Sequence, residues 1–392
     1  MINIVNMFLS LLLNQGGGVL INKGMPHGNF VYMLTLLSVW LLPFSLLINQ
    51  GEKGLFALLN ITLIVTVLSA LKTKNLLLFF VFFEFRIIPI TIIVFIFGYQ
   101  PEKLQAAFSL MLYTVVGSLP LLLFILYSGI VLMRSALMTI PITIGFMIKT
   151  PIYLVHTWLP KAHVEAPVGG SIMLAGVLLK LGSYGLLVFL PLVVMNGILR
   201  FYFRVTMLGS TVASVICLRQ GDLKLLVAYS SVVHMGVVTL GFLRGRELGY
   251  SCGFIIVLGH GLRSPFLFAF AYWLYTSSHS RLILNNRRTW PLLILWLFTL
   301  VSLNIGVPPR LTVWAEVFMS VSSIFLVRSA CPILLRIFLL AGAYNLYIYV
   351  SCIHCKAASH NRSIYLISHL SLFQVAFLGY GSFLCLDLFH IS

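Results

Sequence analysis

The sequence predicts an all-α polytopic membrane protein with about 12–14 transmembrane helices, and three observations carry that expectation. Hydrophobic residues make up 60% of the 392 positions and charged residues only 8%, whereas a soluble domain needs roughly 25% charged residues to clothe its surface. The apolar residues come in continuous runs roughly 18 to 25 long, the length a helix needs to cross hydrocarbon. Those runs lack the polar–apolar alternation of a barrel strand, and lipid leaves a backbone no other spanning form than helix or closed barrel.

Taken in order, Gly, Pro, Asn and charged clusters punctuate the chain into apolar segments near 30–48, 55–71, 75–97, 105–133, 138–159 and 168–195. Further segments lie near 200–218, 223–243, 251–275, 290–328, 332–354 and 364–390. The run 1–13 lacks a basic flank and a small-residue cleavage site, so a short first helix is expected there rather than a signal peptide. No soluble domain and no long linker interrupts the series. Two segments, around 148–163 and 304–318, are broken by proline and lie about five spans apart. Pro-broken segments in corresponding halves point to two inverted repeats with a working site between them.

Lysine and arginine number 25 against 8 acidic residues, a net charge of +17. The bases stand singly in short loops without interleaved aromatics, which argues for anchoring against anionic headgroups and against nucleic acid. They are distributed over loops on both sides, so the sequence sets no orientation. The six cysteines form no disulfide framework. Cys352-x-x-Cys355, with His354 and His360 nearby, has no second ligand pair at zinc spacing, and no metal site is expected. There is no dinucleotide fingerprint, no P-loop and no cysteine set for an iron–sulfur cluster.

The charges inside the apolar segments need a reason, since one ionisable side chain at mid-bilayer costs on the order of 3 kcal/mol. Glu84 sits near the middle of LLLFFVFFEFRIIPITIIVF, with Thr91 seven residues on along the same face. Arg86 is two residues away, points to nearly the opposite side and cannot meet Glu84 well. The partner must therefore come from another helix, and Lys149 of the first broken segment is the candidate. Tyr153 and His156 are expected to share the Lys149 face at i+4 and i+7. Lys180 has no acidic residue in its own span, and Gly176, Ser183 and Tyr184 give it a small, polar stripe for close packing. A lysine desolvated without a carboxylate suits reversible proton transfer. Glu316 follows the second break, with Ser320 and Ser323 on its face. His234 and His260 lie between and can relay protons, or can serve as hydrogen-bonded core histidines. His156 and His163 flank Trp158 and Pro160, where interfacial anchoring competes with proton work. Arg263 and Arg336 are expected to snorkel to the interface, and the Phe-rich stretch 79–85 to face lipid.

Four stretches carry a resemblance: FEFRIIPITIIVFIFGYQPEKLQAAFSLMLYTVVGSLPLL (83–122), HTWLPKAHVEAPVGGSIMLAGVLLKLGSYGLL (156–187), DLKLLVAYSSVVHMG (222–236) and GHGLRSPFLFAFAYWLYTSSHSR (259–281). They resemble the chain 4 family of mitochondrial NADH–ubiquinone oxidoreductase (respiratory complex I), whose members are antiporter-like proton-pumping subunits. The resemblance runs from about residue 76 onward, and PKAHVEAP is its most specific part. It implies N-terminal helices over 1–74, antiporter-like repeats over 75–195 and 196–354, and a C-terminal helix over 355–392. Matched residue by residue, it makes Glu84 and Lys149 the family's ion pair and Lys180 its central proton-carrying lysine. His234 and His260 become the relay, and Glu316 the terminal acid. Three departures stand out. The region before Glu84 is at least one span short, LYTSSHSR lacks the usual acidic residue before its HSR, and Ala315 replaces the glycine before the terminal acid.

The resemblance further implies a multi-pass protein of the mitochondrial inner membrane, partnered by other membrane-arm subunits of complex I, including neighbouring antiporter-like chains, and by lipids such as cardiolipin. It implies no cofactor in this chain, since other subunits handle NADH, FMN, iron–sulfur clusters and ubiquinone. Two other readings remain: a subunit of a multi-subunit cation/proton antiporter, and a structural membrane subunit with a decayed pathway.

Overall fold

A computed structural model describes residues 27–49, 54–128, 139–190, 197–245, 247–283, 291–305, 311–324 and 330–353. Among them there is no β-strand, only an isolated bridge between Asp222 and Leu282. Among the described residues nine stretches are long and apolar enough to cross a membrane, and three shorter apolar helices accompany them. The expected helices over 1–13 and 364–390, the second proline break at 308–309, and Cys355 with His354 and His360 lie outside the described residues.

The chain opens with α1 (His27–Ile48) and α2 (Gly54–Lys72). The next span is split into α3 (Leu76–Phe85) and α4 (Ile87–Phe97), hinged at Arg86. Asn75 starts it by accepting a hydrogen bond from the Leu77 N–H at 3.1 Å. The hinge follows from Pro89, which offers no N–H to the Phe85 carbonyl four residues back and crowds it. After α5 (Lys103–Ser128), α6 (Thr139–Lys149) stops because Pro151 disfavours the helical conformation at Thr150. A single 3₁₀ turn (Tyr153–Val155) then leads into α7 (Trp158–Glu165). The helix stop puts Tyr153 and His156 off the Lys149 face: Tyr153 and His156 stack on each other at 4.8 Å, beside Tyr229. The i+4 and i+7 expectation fails because it presumes an unbroken helix.

The next span comprises α8 (Val168–Met173), one widened π-turn (Leu174–Leu178) and α9 (Leu179–Phe189). There follow α10 (Gly197–Leu218), α11 (Leu223–Leu243), α12 (Glu247–Ser278), α13 (Pro291–Ile305), α14 (Leu311–Ile324) and α15 (Ala330–Ile353). Asp222 caps α11 through the Lys224 N–H at 2.9 Å. Gly245, at φ 64°, ends α11 in the left-handed conformation that glycine adopts without strain.

Burial sorts the spans into an inside and an outside. In both the Val168–Phe189 and Leu223–Leu243 stretches 89% of the apolar window is buried, against 33% in Lys103–Leu126 and Ala330–Cys352. The interior helices α8–α9, α11 and α12 are thus encased by the others, and the outer ones show apolar faces such as Phe108 and Leu123. The Phe-rich stretch departs from expectation: of its five phenylalanines Phe79, Phe80 and Phe83 are buried, Phe82 is half-buried, and Phe85 alone points outward. Aromatic pairing explains it, since Phe79 stacks on Phe83 and Phe83 meets Phe146 edge-on.

Candidate functional site

The file of buried charge begins where α3 meets the end of α6. Lys149 closes α6 and is 3% exposed, and its Nζ lies 2.6 Å from Glu84 Oε1. The sequence candidate for the Glu84 partner is therefore in contact with it. Glu84 Oε2 is buried without a protein partner, and the Lys149 ammonium also stands 4.5 Å from the Phe83 ring centroid. A buried pair of this kind is weak evidence for stability, because the desolvation penalty offsets most of the attraction.

Lys149 reaches this place because α9 approaches α6 closely. A Cβ at Gly182 would lie 3.1 Å from Lys149 Cβ and 3.2 Å from its carbonyl carbon. Two residues earlier on α9 is Lys180, 1% exposed. Its ammonium donates to the Ala175 carbonyl in the π-turn and lies 2.7 Å from His260 Nδ1 on α12. Since an ammonium can only donate, the histidine nitrogen facing it accepts. Gly261 leaves room for the lysine arm, as a Cβ there would sit 3.2 Å from Lys180 Cε.

His260 and His234 come next, both buried, with ring centroids 5.6 Å apart. Asn304 of α13 donates to Asn345 Oδ1 of α15 at 2.7 Å and lies close enough to His234 to act on it. His234 Nε2 has no protein partner. A narrow cavity lined by His234, Arg263, Thr312, Glu316 and Ala341 joins this histidine to the terminal acid on α14. The structure thus brings together Glu84 with Lys149, and Lys180 with His260, His234 and Glu316.

The secondary candidates divide. His163 is fully buried, stacks on Phe268 at 4.5 Å and has both ring nitrogens without a partner. His156 is also buried and donates from Nδ1 to the Tyr153 carbonyl. Both are thus enclosed by protein: His163 rides on α7, which packs against α11, and His156 lies just before that helix. Tyr184 packs in an aromatic cluster with Phe30 and Phe79. Arg263 does not snorkel: it is 4% exposed and donates to the Gly259 and Leu303 carbonyls, bracing α12 against α13. Arg336, in contrast, is exposed.

Sequence reasoning missed Asn304 and Asn345. Both stand in apolar runs, SLNIG and AYNLY, and a lone amide in such a run carries the same desolvation penalty that singles out the charges.

A bundle of apolar helices around a file of ionisable side chains defines a class: multi-pass membrane proteins with charge buried among their spans. Comparison with known proteins narrows it. The model of the membrane domain of NADH:quinone oxidoreductase and Mrp antiporters matches residues 73–342, and the chain belongs to that family. NADH-ubiquinone oxidoreductase chain 4 of Mytilus edulis is 37% identical to it, across 95% of this chain and 92% of the relative. Among solved structures, a chain of respiratory complex I from Thermus thermophilus superposes with a TM-score of 0.81 at 22% identity, covering 96% of this chain and 89% of that one. A chain of the Mrp complex of Dietzia sp. superposes with a TM-score of 0.77 at 17% identity, over 96% of this chain and 46% of that one. At those identities the two structures speak for the fold.

Proposed function

We propose that this chain is a proton-translocating membrane subunit of NADH:ubiquinone oxidoreductase, resident in the mitochondrial inner membrane. Redox chemistry in other subunits drives it, and NADH, FMN, iron–sulfur clusters and ubiquinone stay with those subunits. Other membrane-arm subunits, antiporter-like neighbours among them, and lipids such as cardiolipin are its partners. The observation that carries the reading is the Lys180–His260 contact at 2.7 Å deep in the bundle. Two titratable nitrogens share a proton there, and the likeness to the Mytilus chain over nearly the whole length names the machine.

The steps follow from the chain's own groups. While Glu84 holds Lys149, the two charges offset each other; when the pair opens, the Lys149 ammonium is freed to approach Lys180. A second positive charge nearby disfavours the protonated form of Lys180, whose proton passes to His260 Nδ1. His260 hands it to His234, whose ring lies 5.6 Å away, and the cavity carries it on to the Glu316 carboxylate. Closing the pair restores the affinity of Lys180 for a new proton.

The test is the assembled complex with Lys180→Ala in sealed vesicles, with protons moved and NADH oxidised measured together. Assembly at normal yield with fewer protons per NADH is expected; a variant that assembles and pumps normally ends the proposal. The family also includes cation/proton antiporters. That reading requires sodium-dependent transport and migration apart from any NADH-oxidising band on a native gel, whereas the present one requires the chain inside that band.

A further inference from the structure

Arg86 is a buried permanent charge that the proton path above leaves without a task. It is 2% exposed and sits at the hinge between α3 and α4, two residues after Glu84. Its Nε donates to the Phe83 carbonyl at 2.9 Å, and its guanidinium carbon lies 4.2 Å from the Phe83 ring centroid. Lys149 approaches that same ring, so both cations rest on one aromatic side chain. The long-range contact is the informative one: Nη1 donates at 2.9 Å to the carbonyl of Leu178, 92 residues along the chain.

Leu178 is the last residue of the π-turn. A widened turn shifts the register of backbone hydrogen bonding and offers carbonyls to outside donors. Two cations hold this one: Lys180 takes the Ala175 carbonyl and Arg86 takes that of Leu178. The seat of Lys180 is therefore fixed in part by a residue standing on the hinge that carries Glu84.

We propose that Arg86 is a positioning residue that ties the Glu84–Lys149 pair to the seat of Lys180 through the Leu178 carbonyl. When the pair opens or closes, the α3–α4 hinge shifts, and Arg86 transmits the shift to the π-turn on which the Lys180 ammonium rests. Arginine suits the task because its fork holds the Phe83 and Leu178 carbonyls at once.

This inference rests on the proton-path reading, and the experiment separates the two. Complexes carrying Arg86→Gln, Arg86→Lys or Lys180→Ala are assembled, sealed into vesicles and scored for yield, uncoupled NADH oxidation and protons moved per NADH. The expected order of the proton ratio is wild type, then Arg86→Lys, then Arg86→Gln, with Gln lowered roughly twofold or more and uncoupled oxidation unchanged. Lysine keeps the charge but holds one carbonyl of the two, so it stands between. A normal ratio in Arg86→Lys overturns the inference, including where Arg86→Gln fails to assemble. So does a ratio in Gln equal to or above that in Lys, or a loss confined to yield and oxidation with the ratio intact. If Lys180→Ala itself pumps normally, the underlying reading fails; if it alone loses pumping, only the Arg86 link fails.

Discussion

At the scale of residues, the pairing of Glu84 with Lys149 is a statement about differences. Removing one partner strands a charge in a site built for two, a loss of about 3–5 kcal/mol when the survivor stays ionised. Glu84 is 20% exposed against 3% for Lys149, so the carboxylate left alone is the better solvated of the two, which softens the loss. Assembly yield should therefore fall most in Glu84→Gln, which strands the deeply buried Lys149, fall less in Lys149→Ala, and recover in the double variant relative to Glu84→Gln, with a coupling of about 1–3 kcal/mol from a double-mutant cycle on thermal stability. Additive losses would mean that the 2.6 Å contact is not maintained in the membrane. Much of this site was legible beforehand, because a charge in an apolar run stands out against its neighbours whatever the fold. Arg86, Arg263, Asn304 and Asn345 were not: their partners are backbone carbonyls or amides from 40 to 92 residues away, which no periodicity locates.

At the scale of elements, the sequence told where helices run but not where they bend. Runs of apolar residues bounded by Asn75, Gly98 or Lys72 gave α2 through α4 nearly to the residue. Pro151 marked the stop after Lys149, since its effect on Thr150 is local. The hinge at Arg86 could have been inferred from Pro89, whereas the π-turn at Leu174–Leu178 has no proline and arises from what packs against it. Gly176 lies in that turn, where a Cβ would collide with Leu41 and crowd Pro265. The Gly182 contact is the more instructive test, because its neighbour is the backbone of Lys149 rather than the yielding tip of a side chain. Gly182→Ala must push α9 from α6 by a few tenths of an ångström, a destabilisation of about 1–3 kcal/mol in a packed core. We expect lower thermal stability of the complex together with fewer protons per NADH; unchanged values of both would show that the two helices are further apart than the structure has them.

At the scale of the whole molecule, apolar composition and buried charge are two sides of one constraint. A chain with 8% charged residues covers its outside with hydrocarbon, leaves most of its charge in the loops and gathers charge within its spans along one interior file. Burial separates side chains of identical chemistry: Phe108 is 67% exposed and Leu123 68%, while Phe83 and Phe146 are 0% exposed. Hydrophobicity could not have sorted these four, because leucine and phenylalanine suit lipid and protein interior equally; only the contact with other helices does. A photoactivated carbene released in the lipid phase reads this sorting directly. Labelling of the native complex, mapped by mass spectrometry, should fall on the outer faces of α5 and α15, at residues such as Phe108, Leu123 and Leu339, and spare Phe83, Phe146 and Lys180. Where one of those outer faces stays unlabelled in the complex yet labels in the chain isolated in detergent, a neighbouring subunit covers it. Labelling of Phe83 or Phe146 would place lipid where the structure has the ion pair, and the buried file could not then conduct protons in isolation from the bilayer.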